Sequence, residues 1–127
     1  MTEESALIQQ IRLALCRDHI RLFRNNVSLA WVGTVIAQTP KTITLANYRR
    51  MKTGLATGSG DCVGWRTLVI TPDMVGQRIA QFVSLEAKSA TGRARADQTA
   101  WAAAVTAAGG VAGICRTVDE ARTLLAR

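Results

Sequence analysis

A few charged and amide side chains in this sequence have the types and the spacing that phosphodiester chemistry uses. Glu86 and Lys88 end an apolar stretch, and side chains two residues apart on a strand point to the same face of its sheet. A carboxylate beside an ammonium at that place is either a structural ion pair or a metal ligand next to a catalytic cation. The other candidates for the same site are Asp61, Gln98 and Glu4.

The candidate ligands favour a hard divalent cation. Two carboxylates close together in an apolar site repel each other, and a bound cation removes that repulsion. Carboxylate oxygens of Asp61 and Glu86, with the backbone carbonyl of Ala87, are ligands that Mg²⁺ or Mn²⁺ prefers. Lys88 would then stabilise charge on an attacking water or on the phosphate. The sequence therefore indicates metal-assisted phosphodiester hydrolysis.

Other kinds of site lack the residues they need. His19 is the single histidine, so a catalytic triad based on histidine is excluded. The glycine-rich loop 53–61 lacks the Gly-Lys-Ser/Thr ending of a P-loop and precedes a strand, which excludes a dinucleotide fingerprint as well. We expect no organic cofactor.

Two predicted strands should bring the carboxylates together. Residues 78–88 are typical of a buried strand, and residues 62–70 of another, with a connection at 71–76. Paired as a hairpin, these strands would place Asp61 near Glu86 and Lys88, because the three residues are about equally far from its centre.

Two amphipathic helices should complete the site. Residues 3–17 show an apolar stripe at Ile8, Ile11 and Leu15, and residues 94–108 show another. Glu4 and Gln98 each lie at the N-terminal end of such a stripe. Glu4 is equally explained as a partner of the helix dipole, and whether Glu3 or Glu4 is the first-helix acid stays open.

The remaining pattern predicts an α/β fold. Strands are expected at 20–27, 31–38, 42–48 and 111–115, the last of them parallel to a neighbour because a helix leads into it. A capping box at 117–120 opens a final helix that runs through residue 125.

Composition points to one domain with a polyanionic partner. The chain of 127 residues carries 16 Lys and Arg against 9 Asp and Glu, a net charge of +7, which favours nucleic acid. The side chains that we expect to contact DNA are Arg21, Arg24, Asn25, Asn26, Arg49, Arg50, Lys52 and Ser59.

Several classes of protein fit the sequence poorly. No apolar run approaches the length of about 20 residues that spans a membrane, and the acidic N-terminus does not resemble a signal peptide, so we expect a cytoplasmic protein. The three cysteines are odd in number and lie in apolar segments, which argues against disulfides. Cys16 and His19 have a metal-like spacing, but no second pair completes a zinc site.

The ordered set Gly60-Asp61, Glu86-Ala87-Lys88 and Gln98 resembles the VRR-Nuc family of the PD-(D/E)XK nuclease superfamily. The flanking segments RLFRNNV (21–27), VGW (63–65), AQFVSLEAK (80–88), GRARADQTAWAAAV (92–105) and AGGVAGICRT (108–117) are similar to small stand-alone members from bacteria and their viruses. The resemblance covers nearly the whole chain. It departs from the family at Gly60, which stands where a proline is usual, and at Ala87, where valine is more frequent.

The resemblance implies a restriction-endonuclease-like core with a central mixed β-sheet flanked by helices, over a single domain 1–127. It implies that Asp61, Glu86 and the Ala87 carbonyl bind Mg²⁺ or Mn²⁺, that Lys88 is the catalytic cation, and that Gln98 supports the site. Glu4 matches the acid of the first helix. It further implies a homodimer that cleaves branched DNA such as a four-way (Holliday) junction, in a bacterial cell or a phage-infected host.

Two other functions remain open on the sequence. The chain could be a non-catalytic DNA-binding module of the same fold, in which Glu86 and Lys88 form only an ion pair. It could also be a structural subunit of a larger assembly, which would predict an exposed apolar surface.

Overall fold

The structure, a computed structural model, describes residues 1–126 and has a mixed α/β architecture. This part of the chain contains three α-helices and six β-strands, as the sequence pattern predicts, and five of the strands lie between the first helix and the second. The elements in order are α1 (Glu3–Leu15), β1 (Ile20–Arg24), β2 (Ser28–Gln38), β3 (Ile43–Thr53), β4 (Cys62–Arg66), β5 (Val83–Ala87), α2 (Ala96–Ala107), β6 (Val111–Cys115) and α3 (Val118–Leu125).

The contacts of the chain fall into two compact units. The first comprises Met1–Ala14 and Leu22–Val63, and the second comprises Leu15–Arg21 and the chain from Gly64 onward. Strand pairing within residues 1–126 gives three two-stranded sheets, β1 with β4, β2 with β3, and β5 with β6. The expected single domain with one central sheet stays a prediction.

Helix α1 in the first unit begins where the sequence predicts. The Thr2 hydroxyl accepts a hydrogen bond from the Ser5 backbone N–H at 3.1 Å, which satisfies one of the free donors of the first turn. Ile8 and Ile11 are half-buried as expected, but Leu15 ends the helix 48% exposed. The helix is therefore two residues shorter than the predicted span 3–17.

A long hairpin, β2–β3, forms the largest part of the first unit. Its antiparallel register runs from Ser28 opposite Thr53 to Gln38 opposite Ile43. Hydroxyls at the turn are bonded to each other, Thr39 to Thr42 at 2.7 Å. The predicted hairpin is confirmed, although both strands are longer than expected and β3 continues through residues 49–52.

The predicted hairpin of residues 62–70 with 78–88 is wrong. β4 stops at Arg66 and pairs with β1, and β5 begins only at Val83 and pairs with β6. The intervening segment contains a 3₁₀ turn at Pro72–Met74 and no strand. A connection this long does not impose a hairpin register, so the pairing argument for Asp61 and Glu86 loses its basis.

Strand β5 is also less buried than the sequence suggests. Val83 and Leu85 are 45% and 41% exposed, while Ser84 and Glu86 on the other face are half-buried. Strand β6 runs parallel to β5, with Glu86 opposite Ile114 and Ala87 opposite Cys115. The predicted parallel pairing through a helical crossover is confirmed.

The small core of the second unit lies where α2 meets this parallel pair. Val105 of α2 is 1% exposed and Cys115 of β6 is 8% exposed. α2 ends before Gly109, which has φ of 101°, a left-handed conformation that glycine adopts without strain. At Gly110 a Cβ would lie 2.8 Å from the Phe82 carbonyl oxygen, so only glycine permits this close approach to the residue that precedes β5.

Two further expectations hold in residues 1–126. Thr117 caps α3 by accepting a hydrogen bond from the Glu120 N–H at 3.1 Å. All three cysteines are free thiols, as the sequence predicts. No helix in this part of the chain has the length and apolarity that crossing a membrane requires.

Candidate active site

Three polar side chains of the second unit meet at the end of β5. The Gln98 Nε2 donates a hydrogen bond to Glu86 Oε1 at 2.8 Å, and Lys88 Nζ lies 3.4 Å from the same oxygen. Glu86 and Lys88 stand on one face because they are two residues apart on an extended chain. The grouping of these three residues, predicted from their spacing, is thus present in the structure.

Backbone pairing fixes the position of the two strand residues. Glu86 lies opposite Ile114 in the parallel ladder, and the Lys88 N–H donates to the Cys115 carbonyl at 3.0 Å, which continues the pairing beyond β5. The Lys88 side chain is 18% exposed and that of Glu86 is 42% exposed. The Lys88 side chain is therefore largely shielded from solvent, while the Glu86 side chain is more open to it.

Gln98 links this carboxylate to the first turn of α2. Its Oε1 accepts a hydrogen bond from the Arg95 N–H at 3.0 Å, so the amide uses its oxygen on the helix start and its nitrogen on Glu86. The partial positive charge at a helix N-terminus favours a nearby carboxylate. Gln98 thus orients Glu86 and, at the same time, accepts a hydrogen bond from a backbone N–H that has no partner within the helix.

An exposed ion pair lies beside Gln98 at the same helix start. The Arg95 Nε donates to Asp97 Oδ1 at 3.1 Å. This hydrogen bond lowers the pKa of the Asp97 carboxyl and raises the pKa of the Arg95 guanidinium, to which the charge of Glu86 adds a smaller contribution. Arg95 therefore brings a second positive charge to the neighbourhood of Glu86.

A cavity of about 280 Å³ opens next to Glu86 and Gln98. Its wall includes the Trp101 ring, whose Nε1 donates to the Ser84 hydroxyl at 2.8 Å. The remaining lining residues are Arg95, Asp97, Ala102, Gly113 and Ile114. The carboxylate thus faces a recess that has both polar and apolar walls.

In the first unit, Asn25 organises the loop that precedes Asp61. Asn25 is 7% exposed, and its side-chain nitrogen donates to the Ser59 hydroxyl at 2.7 Å and to the Gly60 carbonyl at 2.8 Å. Its side-chain oxygen accepts from the Leu55 N–H at 2.9 Å.

The Asn25 backbone is tied to the same segment. Its N–H donates to the Asp61 carbonyl at 2.8 Å. Gly54 belongs to this arrangement too, because its φ is 75° and a Cβ there would lie 2.6 Å from the Asn26 carbonyl oxygen. The glycine-rich loop is therefore a folded segment held from several sides.

The remaining metal-ligand candidates belong to the first unit. Asp61 is exposed and immediately precedes β4, and Glu4 is exposed in the first turn of α1, as is Glu3. Glu86 and its partners belong to the second unit. A joint site of Asp61, Glu4 and Glu86 stays a prediction.

The side chains expected to contact DNA occupy different settings. Arg24 donates to Asn26 Oδ1 at 2.8 Å and to the Ser5 hydroxyl at 3.3 Å, whereas Arg21 is exposed on β1. The amide of Asn25 and the hydroxyl of Ser59 are bonded to each other. Their role in binding DNA stays a prediction, and the structure adds that Asn25 and Ser59 hold the loop before Asp61.

The basic residues of β3 are distributed over two faces of the hairpin. Arg50 lies opposite Trp31, and Arg49 lies opposite Val32. Because neighbouring residues of a strand point to opposite faces, the two arginines do not form one patch.

The sequence did not predict that Arg95 donates its backbone N–H to Gln98 and brings a positive charge near Glu86. A glutamine at the third position of a helix accepts a hydrogen bond from the backbone N–H at the N-cap, and Gln98 has this relation to Arg95. That spacing was the available signal. The contact between Trp101 and Ser84 had no such signal, because it joins residues on different elements.

Comparisons of the sequence and structure with known proteins give no match, neither to protein-family models, nor to curated proteins, nor to solved structures.

Proposed function

We propose that this chain is an endodeoxyribonuclease that depends on Mg²⁺ or Mn²⁺ and has a restriction-endonuclease-like core similar to the VRR-Nuc family. The observation that supports this most directly is the grouping of Glu86 with Lys88 and Gln98 around one carboxylate oxygen. A carboxylate and an ammonium at the end of β5, with an amide from α2 that orients the carboxylate, are components that metal-assisted phosphodiester hydrolysis uses.

The donor set suits the proposed cation. The carboxylates of Glu86 and Asp61 and the Ala87 carbonyl are oxygen ligands, which Mg²⁺ and Mn²⁺ prefer over the sulfur and imidazole ligands of zinc sites. Such a cation, when bound, polarises a phosphoryl oxygen and lowers the pKa of a coordinated water. Glu4 of α1 is a further candidate ligand.

The chain's own residues would perform three tasks. Gln98 holds Glu86 in one orientation through its bond to Oε1, which keeps the carboxylate ready to bind without reorganisation. Lys88 supplies positive charge for the developing negative charge on the phosphate. Asn25 donates hydrogen bonds to the Ser59 hydroxyl and to the backbone carbonyls of Gly60 and Asp61, so the backbone that carries the second carboxylate is held in place.

DNA is the proposed substrate because of the charge of the chain. The net charge of +7 attracts a polyanion. Preference for a four-way junction and assembly as a homodimer rest on the family resemblance alone, and they are proposed on that ground.

One observation favours a second candidate, a non-catalytic DNA-binding module. The ion pair between Lys88 and Glu86 already satisfies both charges, as it would in a purely structural role. The two candidates differ in what the carboxylates do when a divalent cation is present.

Cleavage of labelled DNA separates these functions. A four-way junction and a linear duplex of matched sequence would be incubated with the protein in Mn²⁺, Mg²⁺ or EDTA. We expect metal-dependent cutting of the junction that is lost in Asp61→Asn and in Lys88→Ala. Matched controls are Asp73→Asn in the 3₁₀ turn and Lys41→Ala in the hairpin turn, which make the same charge changes at residues outside the candidate set.

Each other result has a defined meaning. Equal cutting of both DNAs would retain the nuclease and discard the junction preference. Cutting that persists in EDTA would contradict the metal. Absence of cutting, with DNA binding that survives both substitutions, would establish the binding module.

A further inference from the structure

One face of the β2–β3 hairpin combines aromatic rings with cations. Trp31 lies opposite Arg50 and Leu29 lies opposite Lys52, and directly opposed residues of an antiparallel pair share a face. The Trp31 and Tyr48 rings meet edge to face with centroids 5.7 Å apart, which places Tyr48 there as well. These five residues are called the aromatic face.

Tyr48 lies two residues from Arg50 on β3, so alternation along the strand also places it on this face, and a bulge lies beside it. The register shifts between Val32 and Thr34, and Asn47 has φ of 49°. At Gly33 a Cβ would lie 2.8 Å from the Ala46 carbonyl oxygen and 3.1 Å from the Tyr48 Cα. A side chain at position 33 would therefore crowd the backbone on either side of Asn47, and glycine leaves that space open beside Tyr48.

Both rings are open to solvent. Trp31 is 57% exposed and Tyr48 is 65% exposed. Arg50 and Lys52 are exposed too, and Lys52 Nζ lies 3.3 Å from the Thr57 hydroxyl of the neighbouring loop. Large aromatic side chains that remain this exposed beside cations indicate a ligand-binding or partner-binding surface.

The distribution of charge identifies the class of partner. Six of the 16 basic residues and none of the 9 acidic residues lie between His19 and Gly60, so this stretch carries almost the whole net charge of +7. A second copy of the same face would bring like charges together without an acidic counterpart from this stretch. A polyanion, in contrast, is attracted to it.

The exposed aromatic rings favour single-stranded over duplex DNA as the bound form. In an intact duplex the faces of the bases are stacked on one another and cannot contact a protein ring. Bases of an unpaired strand stack on aromatic side chains while cations contact the phosphates. We propose that the aromatic face binds unpaired nucleotides of DNA, with Trp31 and Tyr48 stacking on bases and Arg50 and Lys52 contacting phosphates.

This proposal extends the proposed function, on which it rests only for the choice of DNA. Its test is a binding measurement in EDTA, where no metal-dependent cleavage takes place. An inactive protein that still binds single strands through Trp31 would support the face and refute the nuclease. An active nuclease whose single-strand binding is unchanged by substitution of Trp31 would support the nuclease and refute the aromatic face.

Fluorescence anisotropy would measure binding of a labelled single strand of about 12 nucleotides and of a hairpin duplex, at several salt concentrations. We expect Trp31→Ala to weaken single-strand binding about tenfold, as the loss of one stacked base implies, with little change for the duplex. Trp31→Phe should restore most of the affinity. Single-strand binding should quench tryptophan fluorescence in the wild type and much less in Trp31→Phe.

The chain contains a matched pair of controls for the cations. Arg49→Ala and Arg50→Ala remove the same charge from adjacent positions on opposite faces. We expect Arg50→Ala to weaken single-strand binding more and to reduce the salt slope by about one. Equal effects of the two substitutions would contradict the assignment of the face.

Two further results would overturn the proposal. One is unchanged single-strand affinity in Trp31→Ala. The other is a change of oligomeric state in that variant without DNA, seen by sedimentation, which would assign the face to a second copy. Circular dichroism spectra that match the wild type would establish that each variant is folded.

Discussion

Gln98 holds the carboxylate of Glu86 by a hydrogen bond of 2.8 Å from Nε2 to Oε1. The same amide accepts a hydrogen bond from the Arg95 N–H, so both ends of the amide are committed and its orientation is determined. Gln98 therefore joins the start of α2 to the end of β5. A residue in this position can affect the chemistry of Glu86 without contacting the substrate.

Substitution of Gln98 should lower activity by releasing Glu86. In Gln98→Ala we expect kcat to fall about tenfold, with KM for DNA nearly unchanged, because a single positioning hydrogen bond is lost. The loss of the helix-start acceptor should lower stability by about 1 kcal/mol. Thr99→Ala, one residue along α2, is the control and should leave kcat unchanged.

Gln98→Glu distinguishes positioning from a structural effect. It keeps an acceptor for the Arg95 N–H but places a second carboxylate against Glu86, and two close carboxylates raise the pKa of one of them. Activity should therefore recover as the pH is lowered, because the introduced carboxyl group, once protonated, can donate a hydrogen bond to Glu86. A pH profile parallel to that of the wild type would contradict this role.

The contribution of the Arg95–Asp97 ion pair to stability should depend on pH only in the acid range. Its hydrogen bond lowers the Asp97 pKa from an ordinary value of 3.8, so any stabilisation is complete above that value and is lost as the pH falls through the lowered pKa. Both side chains are exposed, and exposed ion pairs contribute little to stability. NMR titration should find a lowered Asp97 pKa that rises in Arg95→Gln, because the hydrogen bond from Arg95 is the largest cause of the shift.

The sequence predicts elements with local signals and fails on long-range pairing. The presence of α2 and the strand at Val111–Cys115 follow from apolar spacing and the glycines after the helix, and both are confirmed, although α2 covers Ala96–Ala107 and not the predicted 94–108. The partner of β4 could not be predicted, because strand pairing depends on the whole sheet. Apolar residues of 78–82 suggested a strand, but no strand forms over that segment of the described chain.

The same distinction applies to the candidate site. Alternation along β5 places Glu86 beside Lys88, and helical spacing places Gln98 at the start of α2, so this part was predictable. The amide of Asn25 was not, because its partners Ser59 and Gly60 lie 34 and 35 residues away. Nothing in the local sequence distinguishes a turn asparagine from one that holds a distant loop.

Asn25 should be important for the stability of the first unit. Asn25→Ala removes three side-chain hydrogen bonds from a buried site. Each buried polar group left without a partner costs about 1–3 kcal/mol of folding free energy, and less where a water molecule takes the place of the amide. We expect urea unfolding to show a loss of about 2 kcal/mol or more. Asn26→Ala at the adjacent exposed position should cost less than about 0.5 kcal/mol.

The chemistry of the lost groups predicts a further difference. Asn25→Asp keeps an acceptor for the Leu55 N–H but turns a carboxylate toward the Gly60 carbonyl, so it should be no more stable than Asn25→Ala at neutral pH. Part of the loss should be regained in mild acid, where the protonated carboxyl can donate a hydrogen bond. Equal stability of Asn25→Ala and Asn26→Ala would show that this network does not hold the loop.

Divalent cations should stabilise the folded protein if the carboxylates bind them. A ligand that binds only the native state adds about 2.7 kcal/mol at 100 times its dissociation constant, which raises the Tm of a domain of this size by several degrees. Mn²⁺ or Mg²⁺ should produce this shift in the wild type and in Asp73→Asn, and not in Asp61→Asn or Glu86→Gln. A Tm that stays constant up to tens of millimolar of either cation would contradict the metal site, independently of any result on DNA binding or cleavage.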